Sequence, residues 1–337
     1  MSITERSKMR IVLLWFLSLV SFSSAFGSFD LFKEWQKVTE YEINHFITTE
    51  ADMFERWIGN DKRIREHNAG NHSWKMEHNQ FSHFKPEEFK EMFLGHFNPI
   101  KSMILNSFQG RYFFNERRMR APKSVDWRTK GVVGEVRNQG KCGSCWGHAA
   151  VECVESLYAI NTSQLLNMSV QQLVSCDTED GNAGCKGGLM DPAFSYIAAN
   201  GLYSEDDYPY TSQNGDNGAC LKMNNKSLTV QRGWVKGFKD IPHHREDLLR
   251  LAISQQPVSI AVDASFFQFY SSGIYSSRMC SPERLNHAVV LVSYDMDKGF
   301  YGLRNSWSKS WGKDGYMKIK MDTNECGLAM SASIPIH

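Results

Sequence analysis

Residues 139–146 read QGKCGSCW and place the thiol of Cys145 where a helix is predicted to begin. Apolar and small residues recur after it at three- and four-residue spacing, which predicts an amphipathic helix over 145–160. The amino end of a helix carries unpaired N–H groups and partial positive charge, and both stabilise an anion. The position therefore predicts a lowered pKa and a nucleophilic thiol for Cys145. The alternative interpretation is a structural cysteine.

Length and composition set broad limits. The chain has 337 residues, of which 42% are hydrophobic and 22% charged, as is typical of a globular protein. This length suffices for two domains, or for one domain with a long extension. The 38 basic and 37 acidic residues leave a net charge of +1, with no long run of either sign. Nucleic acid is therefore not an expected partner.

The amino terminus has the pattern of a secretory signal peptide over residues 1–25. Basic residues precede an apolar run over 11–20, and small residues follow it up to Ala25. A membrane anchor is the alternative, but the run is shorter than the ~20 apolar residues that span a bilayer. No later stretch is long enough, so no stable membrane span is expected. A secretory route leads to the lysosome or endosome, or to the extracellular space.

All eight cysteines lie after residue 141, and residues 26–120 contain none. In a secreted chain most of them are expected to be oxidised, which divides the sequence into an unstapled front part and a stapled rear part. Four sequons are candidate glycosylation sites: Asn71, Asn161, Asn167 and Asn225.

The two parts differ in their predicted secondary structure. The front part reads as helical, with an extended segment over 74–84 and a new helix starting at Lys85–Glu88. It ends in a basic cluster before residue 121, an exposed site for proteolytic cleavage or simply a solvated linker. The rear part predicts helices over 145–160, 169–175, 189–199 and 245–254, and strands over 257–262, 287–294, 301–305 and 316–319. This order predicts an α+β fold with two lobes and a cleft.

A thiolate nucleophile needs a base, and histidine has a suitable pKa. Of the eleven histidines, His287 opens a buried strand in LNHAVVLVSY, where a fold can present a side chain rigidly. Asn305, in RNSWSKSWG, can accept a hydrogen bond from that imidazole, and Trp307 can shield the bond from water. In isolation, a core histidine is the better interpretation of His287.

The motifs QGKCGSCW, NHAV and NSW, in this order, resemble those of the papain-like cysteine proteases. The stretches APKSVDWR and GCKGGLMDPAF resemble the cathepsin L branch of that family. The resemblance implies a papain-like two-lobed fold, with a helical left lobe and a β-barrel-like right lobe, preceded by a helical propeptide. It also implies a signal peptide over 1–25, an inhibitory propeptide over 26–120 and a peptidase domain over 121–337. The implied activity is that of a cysteine endopeptidase made as an inactive proenzyme.

The resemblance also assigns roles. Cys145 becomes the nucleophile, His287 the general acid and base, and Asn305 the group that orients the imidazole, while the Gln139 amide stabilises the oxyanion. No cofactor or metal is implied. The apolar specificity pocket predicts a preference for Leu, Phe or similar residues two positions before the scissile bond. The implied substrate-binding residues are Gly187, Gly188, Leu189, Met190, Ala261, Leu285, Asn286, Trp307 and Ser331.

The same resemblance implies three disulfides and two free thiols. The implied pairs are Cys142 with Cys185, Cys176 with Cys220, and Cys280 with Cys326, which leave Cys145 and Cys153 free. A zinc half-site or a redox pair is the alternative for Cys142 and Cys145, although no second close pair of ligands completes a zinc site. The implied partners are polypeptide substrates, the chain's own propeptide and cystatin-like inhibitors, and the expected state is a monomer.

Several positions depart from the family pattern. In the propeptide region, Thr49, Met53 and Glu77 replace an acid, an arginine and a glycine, and His83 replaces an aspartate. One hypothesis is that His83 supplies a different pH response during activation. Near the site, Gly147 and His148 replace Ala-Phe, and Ser308 replaces glycine. These departures keep open a second interpretation, a weakly active or inactive homologue that binds peptides or proteases through the cleft.

Overall fold

The computed structural model describes residues 27–39, 49–95, 120–179, 181–224 and 226–337. They form two compact units, one from the residues up to Gly70 together with 77–85, and one from 71–76 together with Pro86–His337. The predicted signal peptide, the basic cluster up to Met119 and the sequon at Asn225 lie outside the described residues.

The first unit is built from two helices and a turn-rich segment. Helix α1 covers 27–39 and α2 covers Glu50–Ala69. Their shared core contains Phe32, Trp35, Met53 and Trp57. Thr49 caps α2, because its side-chain oxygen accepts a hydrogen bond from the Asp52 N–H at 3.1 Å. Two of the unusual residues thus have local roles, Thr49 as a helix cap and Met53 as a core side chain.

The segment 77–85 closes this unit. The Asn60 side-chain nitrogen donates to the carbonyl oxygens of Ser82 and Phe84, both at 2.9 Å. Extended structure was predicted over 74–84, but the strand ends at Met76. The prediction is wrong beyond that residue because Asn79 organises a turn: its side-chain oxygen accepts from the Phe81 N–H at 2.9 Å.

The second unit opens with β1, Trp74–Met76, and α3, Pro86–Phe93, which begins at the predicted proline. Its helical half contains α4, Cys145–Thr162, α5, Gln171–Cys176, and α6, Met190–Asn200. Most of α4 is buried, including its charged residues Glu152 and Glu155. Ser163 ends α4 in the left-handed conformation, and Gly201 follows α6 with φ of +71°.

The sheet half follows in the chain, with α7, Glu246–Ile253, packed on it. The strands are β2, Ser124–Asp126; β3, Gly237–Ile241; β4, Val258–Val262; β5, Tyr270–Tyr275; β6, His287–Asp295; β7, Phe300–Arg304; β8, Tyr316–Lys320; and β9, Ala332–Ile336. Their order is β1-β5-β8-β7-β6-β4-β9-β3, with β2 beside β6. Among the strands of the described residues, only the β5–β8 pairing is parallel. The predicted α+β class and the helical front part are confirmed.

Helix α4 packs directly against β6, and this contact sets the site. Cys145 is the first residue of α4 and His287 the first of β6. Across the sheet, His287 pairs with Val262 at the end of β4, while Val290 pairs with Arg304 of β7. The chain therefore leaves β7 and reaches Asn305 close to the start of β6.

Three disulfides staple the second unit, and they are the pairs that the family resemblance implies. Their sulfur atoms join Cys142 to Cys185, Cys176 to Cys220, and Cys280 to Cys326. Cys145 and Cys153 are free and buried. Because Cys142 is bonded to Cys185, the zinc and redox interpretations of Cys142 with Cys145 are wrong. Among the described residues, no helix combines the length and apolarity needed to cross a membrane.

Candidate active site

The Cys145 thiol lies at the start of α4 but is almost fully buried, with 3% of the residue exposed. Burial raises the pKa of the Cys145 thiol to about 11, although backbone hydrogen bonds from Ala288, Trp146 and Gly95 oppose the rise. The predicted lowering is therefore wrong for this covered form of the site. The end of a helix stabilises an anion by only ~0.3–1 kcal/mol, and desolvation of the sulfur outweighs it here.

His287 is held in one orientation by Asn305. Its Nε2 lies 2.7 Å from Asn305 Oδ1, and the same oxygen accepts from the Ser306 N–H at 2.8 Å. An amide oxygen only accepts hydrogen bonds, so Nε2 carries the proton and Nδ1 is the basic atom of the neutral ring. The Trp307 ring stacks on the imidazole with 4.5 Å between centroids, which excludes water from the bond.

Burial also determines the charge of this histidine. It lowers the pKa of His287 to about 4, and the hydrogen bond to Asn305 only partly opposes that change. Nδ1 is buried and has no hydrogen-bond partner among the described residues. Because the pKa of the Cys145 thiol lies above neutral pH and the pKa of the His287 imidazole lies below it, both groups are uncharged in this form of the site.

Gln139 brings its side-chain amide to the same place. Its Nε2 donates to the carbonyl oxygens of Cys142 at 2.9 Å and of Phe93 at 3.2 Å. Its Oε1 accepts from the Ser306 hydroxyl at 2.7 Å. The amide orientation is thus fixed, with one N–H directed at a carbonyl group that comes from the end of α3.

The segment after α3 covers the thiol. The Gly95 N–H donates to the Asn286 carbonyl oxygen at 2.8 Å. A Cβ atom at Gly95 would lie 3.6 Å from the Cys145 sulfur, so the backbone of this segment passes directly over it. Phe89 of α3 meets Trp307 edge to face, with 5.3 Å between ring centroids. Residues 86–95 therefore occupy the site and bury its reacting atoms.

Gly187 and Gly188 are both buried at positions that favour glycine. Gly187 has φ of +113°, which favours glycine. A Cβ atom at Gly188 would lie 2.7 Å from Trp146 Cδ2, too close for any side chain. The next N–H, of Leu189, donates to Asn182 Oδ1 at 2.6 Å. The backbone at these two glycines is therefore held in place and carries no side chains.

The residues expected to form the specificity pocket are brought together in part. Met190, Ala261 and Leu285 belong to one apolar cluster. Ser331 joins them through its carbonyl oxygen, which accepts from the Ala261 N–H at 2.9 Å. Leu189 is buried at the start of α6 but stands outside that cluster.

Two residues that sequence reasoning missed hold Gln139: Ser306 contacts its side-chain amide, and Tyr210 contacts its backbone carbonyl group. Ser306 lies inside the NSW motif, so its hydroxyl could have been considered from the sequence. Tyr210 is 71 residues away and carries no sequence signal; its hydroxyl donates to the Gln139 carbonyl oxygen at 2.8 Å and lies 2.7 Å from the Ser144 hydroxyl. Phe93 and Gly95 were also missed as residues of the site.

Three residues near the site depart from the family pattern: Gly147, His148 and Ser308. Gly147 faces Val170 and Leu173, and His148 is buried with its ring against Tyr210. Ser308 has φ of +67°, and its N–H donates to the Arg137 carbonyl oxygen at 2.9 Å. Within the described residues, no hydrogen bond or ring contact joins any of these three to the Cys145 sulfur or the His287 imidazole.

Comparison with known families and structures agrees with this geometry. Residues 121–336 match the papain family cysteine protease model, and residues 32–89 match the cathepsin propeptide inhibitor domain. Procathepsin L of Rattus norvegicus is 41% identical over 83% of this chain and 84% of its own. Cathepsin L of Sarcophaga peregrina is 34% identical over 97% of this chain and 99% of its own.

Solved proforms are similar as well. The proform of the ragweed pollen allergen Amb a 11, a cysteine protease, matches with a TM-score of 0.79 and 32% identity over 92% of this chain and 94% of that one. Digestive procathepsin L 3 of the Tenebrio molitor larval midgut matches with a TM-score of 0.79 and 31% identity, over 92% of this chain and 99% of that one.

Proposed function

The chain belongs to the papain family of cysteine proteases and is a cysteine endopeptidase made as a zymogen, and on this premise we propose which of its residues act. The single observation that carries the proposal is the hydrogen bond of 2.7 Å between His287 and Asn305, beside a free thiol at the start of α4. Cys145 is the nucleophile, His287 the acid and base, and Asn305 the orienting residue.

The reaction begins once residues 86–95 leave the site. Water then reaches the thiol and the imidazole, so the desolvation that keeps both neutral is relieved. The proton of Cys145 passes to Nδ1 of His287, and the thiolate attacks the scissile carbonyl carbon. The Gln139 amide, no longer bound to Phe93, donates to the oxyanion together with the Cys145 backbone N–H.

The second half of the cycle uses the same proton. His287 donates it to the leaving amine as the carbon–nitrogen bond breaks, which leaves an acyl group on the sulfur. His287 then accepts a proton from water, and the resulting hydroxide attacks the acyl carbon. The carbon–sulfur bond then breaks, the carboxylic acid product departs, and His287 returns its proton to the Cys145 sulfur.

The substrate preference is for a bulky apolar residue two positions before the scissile bond. Met190, Ala261 and Leu285 would surround that side chain, and Gly187 and Gly188 would let the peptide backbone pair in extended form. Asn286 already accepts a backbone hydrogen bond from Gly95, as it would from a substrate. One methylene more or less on the substrate changes transition-state binding in such a pocket by ~1–3 kcal/mol, so selectivity between substrates is moderate.

The propeptide inhibits the enzyme from within the chain, as its inhibitor domain indicates. We assign it residues 26–120, after a signal peptide of residues 1–25, and place maturation near Ala121. The relatives named as cathepsin L support a secretory destination, a lysosome or the extracellular space. Cystatin-like inhibitors and a monomeric state belong to the same proposal.

One assay tests the activity. Protein processed near Ala121 is incubated at pH 5 under mild reduction with fluorogenic peptides that carry Leu, Phe or Arg two positions before the cleaved bond. We expect hydrolysis of the Leu and Phe peptides and none by the Cys145→Ala control. A preference for Arg would overturn the pocket assignment, while peptide binding without hydrolysis would favour the inactive homologue.

A further inference from the structure

A cavity of about 480 Å³, separate from the proposed active site, lies beside the start of α4. None of the residues proposed for catalysis or substrate binding lines it. One part of its wall is apolar, made by Leu165, Leu166 and Val170. Another part is polar and includes Arg137, His148 and Glu205. A binding site for a small amphipathic molecule has this division of its lining.

The polar part contains buried groups whose hydrogen-bonding capacity is unused. His148 is only 2% exposed, and neither of its ring nitrogens has a hydrogen-bond partner among the described residues. Burial lowers the pKa of His148 well below its ordinary value, so the ring is neutral and offers one donor and one acceptor. Buried polar atoms are normally paired, so the His148 ring lacks two hydrogen-bond partners that a ligand could supply.

Arg137 and Glu205 each have one engaged and one unengaged atom. The Arg137 Nη2 donates to Glu155 Oε1 at 2.7 Å and to the Met168 carbonyl oxygen at 2.9 Å, while Nη1 has no partner. The Glu205 Oε1 accepts from the Tyr210 N–H at 2.7 Å, while Oε2 has none. The engaged atoms fix both side chains, so the unengaged atoms present a fixed cation and a fixed anion.

We propose that this cavity binds a free α-amino acid with an apolar side chain, such as leucine. Its carboxylate pairs with Arg137 and accepts from the His148 ring N–H, and its ammonium donates to Glu205. Its side chain packs on Leu165, Leu166 and Val170. Water alone would satisfy the polar atoms but would leave the apolar wall hydrated.

The site is connected to the catalytic residues through one side chain. The His148 ring meets Tyr210 edge to face with 5.1 Å between centroids. Tyr210 in turn contacts the Gln139 backbone carbonyl group and the hydroxyl of Ser144, the residue before Cys145. Free amino acids accumulate where proteins are degraded completely, so binding here would couple the extent of degradation to the residues that position Gln139.

Binding is tested on the full-length Cys145→Ala chain, which cannot process itself. Its thermal unfolding midpoint is followed against L-leucine concentration, and calorimetry gives the Kd. We expect saturable binding and a rise in midpoint of about 3 °C at ten times Kd. His148→Phe keeps an aromatic ring against Tyr210 but removes both nitrogens, and should weaken binding at least tenfold. If His148→Phe does not fold, Glu205→Gln tests the ammonium contact with the same expectation.

Two analogues and one variant complete the design. 4-Methylpentanoate lacks the ammonium and isoamylamine lacks the carboxylate, so each should bind at least tenfold more weakly than leucine. Glu283→Gln, an exposed change outside the cavity, should bind leucine as the parent does. The proposal is overturned if leucine gives no saturable shift, if His148→Phe and Glu205→Gln bind it unchanged, or if all three compounds bind equally. Because no readout uses peptide hydrolysis, this outcome is independent of the proposed function.

Discussion

The Gln139 side-chain amide donates a hydrogen bond of 3.2 Å to the carbonyl oxygen of Phe93, at the end of α3. The donor proposed to stabilise an oxyanion is therefore already bound to a carbonyl group of the segment that we assign to the propeptide. Gly95, two residues further on, passes over the sulfur of Cys145. Inhibition and catalysis use the same donor, so both depend on the side chain that fixes Gln139.

That side chain is Ser306, and its removal should slow the chemical step. In Ser306→Ala the Gln139 amide loses the hydroxyl that holds its oxygen at 2.7 Å, so its N–H is less well aimed. We expect kcat to fall roughly tenfold with KM nearly unchanged, a smaller loss than removal of the donor itself. Steady-state kinetics of the processed enzyme provide the measurement. Ser310→Ala, an exposed serine nearby, is the control, and an unchanged kcat in Ser306→Ala would refute the role.

Gly147→Ala should stabilise the second unit by ~1 kcal/mol, because glycine is a poor residue inside a helix. The added Cβ would lie 3.5 Å from Val170 Cγ1, an ordinary contact. Urea unfolding of the Cys145→Ala chain measures the change. Gly188→Ala is the contrasting variant and should be strongly destabilised, since its Cβ would lie 2.7 Å from Trp146. Equal effects from the two alanines would contradict the packing described here.

Ser308→Gly should also be stabilising, by about 0.5–1 kcal/mol. Ser308 has φ of +67°, a left-handed conformation that costs a residue with a Cβ ~1–2 kcal/mol, and the greater chain entropy of unfolded glycine offsets part of the gain. The same unfolding measurement applies. Ser310→Gly should show no such gain, because the left-handed non-glycine residues of the described structure do not include Ser310. A destabilised Ser308→Gly would show that its hydroxyl matters more than its backbone.

The buried carboxyl groups of Glu152, Asp191 and Asp240 should each lower the stability of the second unit as the pH rises from ~4 through neutrality. Burial raises the pKa of Glu152 to about 7, and it raises the pKa of Asp191 and of Asp240, the latter also through repulsion from Asp191. A carboxyl group whose folded pKa is raised binds its proton more tightly in the folded chain, so its stabilisation is present at low pH and is lost as the pH rises.

Asp240→Asn tests this sign. The amide cannot ionise, so the unfolding free energy should vary less between pH 5 and pH 8 than in the parent, both carrying Cys145→Ala. Asp297→Asn, an exposed change, should keep the parent's slope. A slope that stays the same in Asp240→Asn would exclude this carboxyl as a source of the pH dependence.

Acid should destabilise the first unit through His78. Its ring stacks on Trp57 at 4.2 Å, and its Nε2 lies 3.2 Å from Asp61 Oδ1. Burial lowers the pKa of His78, with the hydrogen bond to Asp61 opposing it. A lowered folded pKa means that stability is present above the ordinary pKa of ~6.5 and is lost as the pH falls. In His78→Gln autoprocessing should therefore start at a lower pH, as followed by electrophoresis across a pH series.

His83→Ala is the companion variant for the hypothesis raised by the missing aspartate. His83 is buried between Trp35 and Phe84, with ring centroids at 5.7 and 4.0 Å. If it contributes the pH response, its autoprocessing profile shifts as well. An unchanged profile in His83→Ala together with a shifted one in His78→Gln would assign the response to His78 alone.

The sequence was sufficient where a pattern was long or a motif specific. Helix α4 and strand β6 have regular apolar spacing, and both were predicted within two residues of their observed ends. Strand β5 reads YSSGIY and lacks alternation, so its pairing with β1 and β8 depends on contacts distant in the chain. The same limit applies to Tyr210, whose relation to Gln139 exists only in the folded chain.

The error on Cys145 has a related cause. Its place at a helix end was predicted correctly, but the sign of its pKa shift depends on what covers it. Phe93 and Gly95 supply that cover from about fifty residues upstream, and no feature of their sequence announces it. The place of Cys145 at the start of α4 can be read from the sequence, but whether its thiol ionises depends on whether the segment around Phe93 and Gly95 covers it.

Strand β1 comes from the propeptide and pairs with β5, at one end of the strand order. Loss of the propeptide would therefore turn β5 into the new edge of the sheet, with its outer N–H and C=O groups unpaired. Such an edge invites pairing with any other extended chain. Before it is cut away, this three-residue strand takes the edge position from the six-residue β5, so the propeptide shortens the edge open to such pairing, an effect that is separate from silencing the thiol.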